Sequence, residues 1–332
     1  MASNTLLEHL RSLTSVACDT LDVKVAEHLG PFTDCTSNQA IAFHELSKVD
    51  GNGKSVYEDV IKKSLTGAHW MFPKQADATV EELAVELMMV QLSLGFAPHT
   101  TGYLHVQTNP KWSYSTDKTV KNAKRILAHF RHIAPDFDIK RVCIKIPATW
   151  EGLQACRELE MHGIATLATT MFCMEQAVLA AQVGCTYIAP YVNELRVHFD
   201  PSYHDSDKGL TFCFQAQHYF ETQGCKTKVL AASLTSIEEV MQLAGVHHIT
   251  ISPPLLAELA ATTADGWKDR DVLGRELNHA SEAIPLDESA WRMAFTRSKA
   301  GKNEGKIIQA INIFADMQDQ LENMARKFQA RA

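Results

Sequence analysis

The chain has 332 residues, 45% of them hydrophobic, with 39 acidic against 32 basic side chains. That mildly acidic balance, without any long basic run, excludes nucleic acid and anionic membrane surfaces as expected partners, and no apolar stretch is long enough to span a bilayer. The length and apolar content suit one large α/β barrel and a small-molecule substrate.

The start, Met1-Ala2-Ser3-Asn4-Thr5-Leu6-Leu7-Glu8, lacks the basic, apolar and small-residue regions of a secretory signal, so the expected location is intracellular and cytoplasmic. Eight cysteines (18, 35, 143, 156, 173, 185, 213 and 225) are scattered without a CxxC pair. They imply free thiols in a reducing compartment, not a disulfide framework.

In chain order, eight short runs rich in small, β-branched or aromatic residues predict strands: Ser15–Thr20, Phe32–Asn38, Gly102–Thr108, Val142–Pro147, Ile164–Thr170, Thr186–Val192, Lys228–Ser233 and His247–Ser252. Between them apolar residues recur at three and four, as in the segments starting at Val80 and at Ile237, each introduced by a Thr or Ser suited to capping a helix. Residues 40–100 exceed one crossover and predict two helices, near 56–66 and 79–94. After residue 252 the pattern is purely helical, with C-terminal helices at about 287–330 expected to pack over or beside the strands. No linker or composition break divides residues 1–332. The predicted fold is a single (β/α)8 TIM barrel with additional terminal helices.

Alternate residues of a strand point to opposite faces. In Val142-Cys143-Ile144-Lys145-Ile146-Pro147 the valine and isoleucines suit packing under helices, which turns Lys145 into the lumen. Burial disfavours the ammonium form and supplies the neutral amine needed to attack a ketone. The alternative is a lysine that snorkels to the strand end or pairs with a buried carboxylate. The same alternation groups Ala17 with Asp19, Tyr103 with His105 and Gln107, Leu167 with Thr169, Tyr187 with Ala189 and Tyr191, and Ala231 with Ser233. Strand C-termini form the active mouth of such barrels, so Asp19, Asn38, His105, Gln107, Lys145, Thr169, Tyr191 and Ser233 are expected to converge there.

These segments resemble the transaldolase family of Schiff-base aldol-transfer barrels, nearly end to end. Ile144-Lys145-Ile146-Pro147-Ala148-Thr149-Trp150-Glu151-Gly152 resembles the segment with the imine-forming lysine. Val16-Ala17-Cys18-Asp19-Thr20 resembles the first strand with its acid/base aspartate, and Thr36-Ser37-Asn38 a Thr-Thr-Asn-Pro turn, with Gln39 in place of proline. Ile188–Asn193, Leu230–Ser233 and Ile249–Pro253 continue in the family's order.

The resemblance implies Lys145 as nucleophile, Asp19 as acid/base, and Asn38, Thr169, Gln107 and Ser233 as hydrogen-bonding groups for substrate, imine or water. His105 is read at the third-strand position where the family carries glutamate or glutamine, as a proton relay or a satisfied core histidine, with Gln107 one lumen position further on. Tyr191 and Leu167 stand where transaldolases carry phenylalanine and asparagine, which leans toward the fructose-6-phosphate aldolase branch. Tyr191 would assist protonation of the intermediate, or simply line the pocket. Asp19 and Asn38 have an alternative role as local caps. The arginine that follows the sixth strand in both branches is Glu194 here, and the basic residue of the seventh-strand loop is Thr235, so the usual phosphate clamp is missing. Arg196 and His198 are the nearby candidates for a relocated anion site.

No cofactor is implied, and the 15 histidines show no metal-binding spacing, so no metal is expected. Gly51-Asn52-Gly53-Lys54-Ser55 lacks the full P-loop pattern and reads as a turn. The expected activity is transfer or release of a dihydroxyacetone-type unit, on a non-standard or unphosphorylated substrate. The rivals are a strict pentose-phosphate transaldolase and a catalytically retired sugar- or protein-binding paralogue, the latter disfavoured by retention of Lys145, Asp19, Asn38 and Thr169 together. Family members are commonly homodimers, which makes a homodimer the implied assembly.

Overall fold

The computed structural model describes residues 4–74, 77–267 and 287–330. Strands β1 (Ser15–Cys18), β2 (Cys35–Thr36), β3 (Leu104–Gln107), β4 (Val142–Pro147), β5 (Ala165–Met171), β6 (Tyr187–Pro190), β7 (Lys228–Ala231) and β8 (His248–Ile251) form a closed parallel barrel in sequence order. β8 closes it by pairing with β1 from Ser15–His248 to Cys18–Ile251. The expected (β/α)8 barrel is the observed one.

Burial explains the strand composition. All of β4 is buried, because one face meets the surrounding helices and the other fills the lumen. Behind it, Gly152 is fixed by space: a Cβ there would lie 2.0 Å from the Pro147 carbonyl oxygen, so only glycine lets the helix Trp150–Met161 start so close to the end of the lysine strand. The crossover helices begin where sequence places their caps. Thr79 and Glu82 form a reciprocal capping box, and the Ser236 hydroxyl accepts from Glu239 N.

Two expectations need correction. β2 is only two residues long, because Asn38 turns out of the strand and caps a further helix, Gln39–Leu46, by accepting from Ile41 N at 3.0 Å. Among the described residues, 40–100 therefore hold three α-helices, the other two being Glu58–Met71 and Val80–Phe96. The segment at Gly51–Lys54 is the expected turn, closed by Asp50 Oδ1 accepting from Asn52 N at 2.8 Å and Lys54 N at 3.0 Å.

Beyond β8 the described chain forms helices Pro253–Ala261, Glu288–Arg297 and Lys302–Gln329. The helical expectation for 268–286 lies outside the described residues. Lys302–Gln329 is fastened across the barrel by Lys111–Glu322 at 3.1 Å, Arg326–Glu81 at 3.3 Å and Lys306–Asp205 at 3.2 Å. That fastening carries Phe314 to the mouth, at the C-terminal ends of the strands.

Candidate active site

Lys145 is 3% exposed, and among the described residues no carboxylate pairs with it. Burial drives its pKa below the ordinary lysine value, with the nearby Asp19 charge and the Cys35 thiol pulling weakly the other way. Neither the snorkelling nor the ion-pair alternative describes this side chain. Burial disfavours its ammonium form, and Lys145 lines a cavity of about 140 Å3 together with Asp19, Asn38, Tyr191, His198, Ser233 and Thr250, with Phe314 closing one side.

Larger hollows exist, but they lack this chemistry. One of about 600 Å3 lies at the opposite end of the barrel, lined by the residues that precede β1, β2 and β8. Another of about 440 Å3 lies between the β5 loop and the last helix. The small cavity is the candidate site because it joins a desolvated amine to a carboxylate at the strand C-termini.

Asp19 follows β1 and reaches the cavity, while the next helix is capped by Asp22, whose Oδ1 accepts from Lys24 N at 3.0 Å. The capping alternative for Asp19 is therefore not the one the fold uses. Its Oδ1 accepts from Thr36 Oγ1 at 2.5 Å, and Thr36 Oγ1 lies 2.5 Å from Thr250 Oγ1. A carboxylate only accepts, so the single Thr36 proton points to Asp19 and Thr250 donates to Thr36. Asn38 serves both of its readings, since its side-chain Oδ1 caps Gln39–Leu46 while the residue lines the cavity.

Tyr191 also lines the cavity. Burial raises the pKa of its phenol, a hydrogen bond with Thr169 opposes that rise, and the Asp19 charge adds to it, so the hydroxyl stays protonated. Thr169 stands behind it, Oγ1 to phenol 3.4 Å, and does not reach the cavity wall. The chain there is irregular. The β5–β6 register shifts between Ala168 and Met171, and Thr170 has φ +57°.

β3 needs a correction. In register with β4, Gln107 is level with Lys145, whereas His105 is level with Cys143, one lumen layer deeper. His105 does not enter the cavity wall; its Nε2 lies 3.1 Å from Asp34 Oδ2, and its ring meets Tyr187 edge to face at 5.4 Å. Burial tends to raise the Asp34 pKa, but hydrogen bonds from His105 and Tyr103 N overcome it and hold the carboxyl below its ordinary value. Gln107 is 1% exposed, both its amide atoms lack a protein partner among the described residues, and it too is absent from the wall of the Lys145 cavity, lining instead a separate small hollow with Gln39, Val85 and Gln318.

Arg196 and Ser233 separate as well. The Arg196 guanidinium is exposed, binds Asp200 Oδ2 at 2.7 Å and lies 4.5 Å from the Tyr203 ring centre, outside the cavity wall. Ser233 lines the cavity, and its Oγ lies 3.0 Å from His198 Nε2. Thr235 is held by Glu239 through its N at 2.8 Å and its Oγ1 at 3.1 Å.

Thr36, Thr250 and Phe314 were missed from sequence. Alternation carried through β2 and β8 finds the first two, because Asp34, Thr36 and Asn38 share one face, as do His248, Thr250 and Ser252. Phe314 has no local signal, since its place depends on where the last helix crosses.

Comparison with known proteins agrees with this geometry. The profile described as Transaldolase/Fructose-6-phosphate aldolase matches residues 16–325. A transaldolase of Methylococcus capsulatus is 32% identical over 332 residues, covering 97% of this chain and 96% of that one. Transaldolases of Allorhizobium ampelinum (28% identical; 97% of this chain and 98% of that one) and Nostoc sp. (29%; 98% and 97%) match along similar lengths. A desolvated lysine inside a closed eight-stranded barrel, within a match that runs through all eight strands, places this chain in the transaldolase/fructose-6-phosphate aldolase family.

Proposed function

We propose that this transaldolase-type enzyme joins Lys145 to a ketose as a Schiff base and transfers or releases a dihydroxyacetone-type unit. The observation that carries the reading is the unpaired, desolvated Lys145 amine sharing a cavity with the Asp19 carboxylate. The amine adds to the ketose carbonyl, and the adduct loses water to give the imine. Asp19 then takes the proton of the hydroxyl beside the bond to be broken. The carbon–carbon bond electrons flow into the imine, an aldehyde departs, and an enamine remains. Addition of that enamine to a new aldehyde, with Asp19 returning the proton, completes transfer. Protonation on carbon followed by hydrolysis completes release, and the protonated Tyr191 phenol in the cavity wall supports that branch.

The charge distribution supports an unphosphorylated or otherwise modified substrate. Lys145 and His198 are the basic residues of the cavity wall, and the resemblance implies that Glu194 takes the place of the family's arginine. A phosphate normally requires charge-assisted, often bidentate partners.

Borohydride reduction of the protein with a panel of ketoses, followed by peptide mass spectrometry, tests the chemistry. The mass of a reduced sugar adduct is expected on the Lys145 peptide and absent in Lys145→Ala. An adduct on another lysine, or full activity in that variant, overturns the reading.

A further inference from the structure

Resting on the Lys145 imine reading, we propose that His198, coupled to Ser233, recognises an uncharged hydroxyl at the far end of the substrate and so selects unphosphorylated hydroxyaldehyde acceptors. Both residues line the cavity that holds Lys145 and Asp19, and their side chains meet at 3.0 Å.

The serine is held in an unusual backbone state. Its φ is +61°, a left-handed conformation that a side-chain-bearing residue adopts only when its surroundings enforce it. Asn193 enforces it by donating to the Ser233 carbonyl from its backbone N at 3.1 Å and its Nδ2 at 2.9 Å, while Glu239 Oε2 accepts from the same Nδ2 at 2.9 Å. Strain maintained at a cavity wall aims the Ser233 hydroxyl, and His198 is what it meets.

The imidazole is suited to a neutral group. Although His198 as a residue is exposed, the atoms around its ring desolvate it enough to lower its pKa, against the opposing pull of Asp19 and Glu239. A neutral imidazole keeps one donor and one acceptor. After one is used on Ser233, the pair still presents both hydrogen-bonding characters, which matches a hydroxyl. A phosphate only accepts and needs cations, yet Arg196 is engaged by Asp200. Leu195, Phe199 and Phe314 beside the pair make an apolar rim that favours a neutral ligand further.

The test compares kcat/KM for glyceraldehyde, glyceraldehyde 3-phosphate and propanal as acceptors, with dihydroxyacetone as donor, in wild type, His198→Phe and His198→Arg. Wild type is expected to prefer glyceraldehyde over its phosphate. His198→Phe is expected to lose about tenfold or more on glyceraldehyde, mainly through KM, and clearly less on propanal, which has no hydroxyl to read. His198→Arg is expected to gain on the phosphorylated acceptor. Borohydride trapping of dihydroxyacetone at Lys145 serves as the internal control and is expected to be detectable in all three proteins. Intact trapping with equal glyceraldehyde kinetics in wild type and His198→Phe, or a wild-type preference for the phosphate, overturns the assignment of His198 alone. Failure of wild type to trap at Lys145 overturns the aldol reading, and the assignment with it.

Discussion

The hydroxyl of Thr36 lies 2.5 Å from Asp19 Oδ1, and its other neighbour, Thr250 Oγ1, is also at 2.5 Å. The acid/base group thus sits at the end of a hydroxyl chain that runs across β2 and β8, the neighbours of the strand it follows. When Asp19 has taken a proton, it can donate to Thr36, Thr36 can turn to Thr250, and the carboxyl is held in place in both of its states.

Thr36→Val removes that support while preserving side-chain volume. The expected result is a fall in kcat of roughly ten- to a hundredfold, below the full loss of a general base, with KM little changed. Borohydride trapping at Lys145 is expected to persist, since imine formation does not require the chain, and Thr36→Ser should restore most of the rate. Equal losses of trapping and turnover would reduce Thr36 to a packing residue.

The register of β3 on β4 separates the tasks of His105 and Gln107. Gln107 is level with Lys145 and has no protein partner among the described residues, though it lies outside the wall of the Lys145 cavity, whereas His105 is bound to Asp34. Gln107→Leu is expected to keep the fold and lower kcat. His105→Phe leaves the Asp34 carboxylate buried without its imidazole, so a loss of about 2 to 4 kcal/mol in chemical denaturation is expected, with trapping at Lys145 retained. Stability and activity effects falling on the opposite residues would restore the reading of His105 as the relay.

Much of this was legible in the sequence because strand alternation is a local signal. Val142, Ile144 and Ile146 on one face made Lys145 a lumen residue, and Asp19, Tyr191 and Ser233 followed by the same rule to the same cavity. The depth of His105 was not legible, because alternation gives a side chain's face but not its layer. Layers depend on the stagger between strands, a property of barrel closure. Arg196 failed for another reason: it lies in the short helical turn Leu195–His198, where neither period applies, and an acidic neighbour four residues on captured its guanidinium.

Lys145 also ties function to stability. Its pKa is lowered by folding, so between the folded and unfolded values the unfolded chain binds a proton that the native chain does not, and wild-type stability rises with pH in that window. Below the folded value both states carry the proton, and the native state bears the full cost of a buried ammonium. Lys145→Met is therefore expected to abolish trapping yet raise stability, by on the order of 1 to 3 kcal/mol at mildly acidic pH. The gain should shrink as pH rises. Melting curves of both proteins across that range give the check, and a gain that grew toward alkaline pH would contradict a depressed lysine pKa.

Glu194, expected from the resemblance to replace a phosphate-binding arginine, makes the last prediction. Glu194 is built into the attachment of the final helix: its N donates to Asp205 Oδ2 at 2.8 Å, its Oε2 accepts from Gln309 Nε2 at 3.2 Å, and its Oε1 is 3.8 Å from Lys306 Nζ. Glu194→Arg would place a second cation beside Lys306 and withdraw the acceptor used by Gln309. It is expected to destabilise the protein by about 1 kcal/mol or more without conferring a preference for phosphorylated sugars. Arg196→Ala is expected to leave kcat/KM for fructose and for fructose 6-phosphate each within about twofold of wild type, because its guanidinium is committed to Asp200 and Tyr203. Steady-state kinetics on both sugars, beside thermal melts of the two variants, decide the matter. If phosphate selectivity exists in wild type and disappears in Arg196→Ala, the guanidinium must leave Asp200 to meet the substrate, and the cavity then works with a cation from outside its wall.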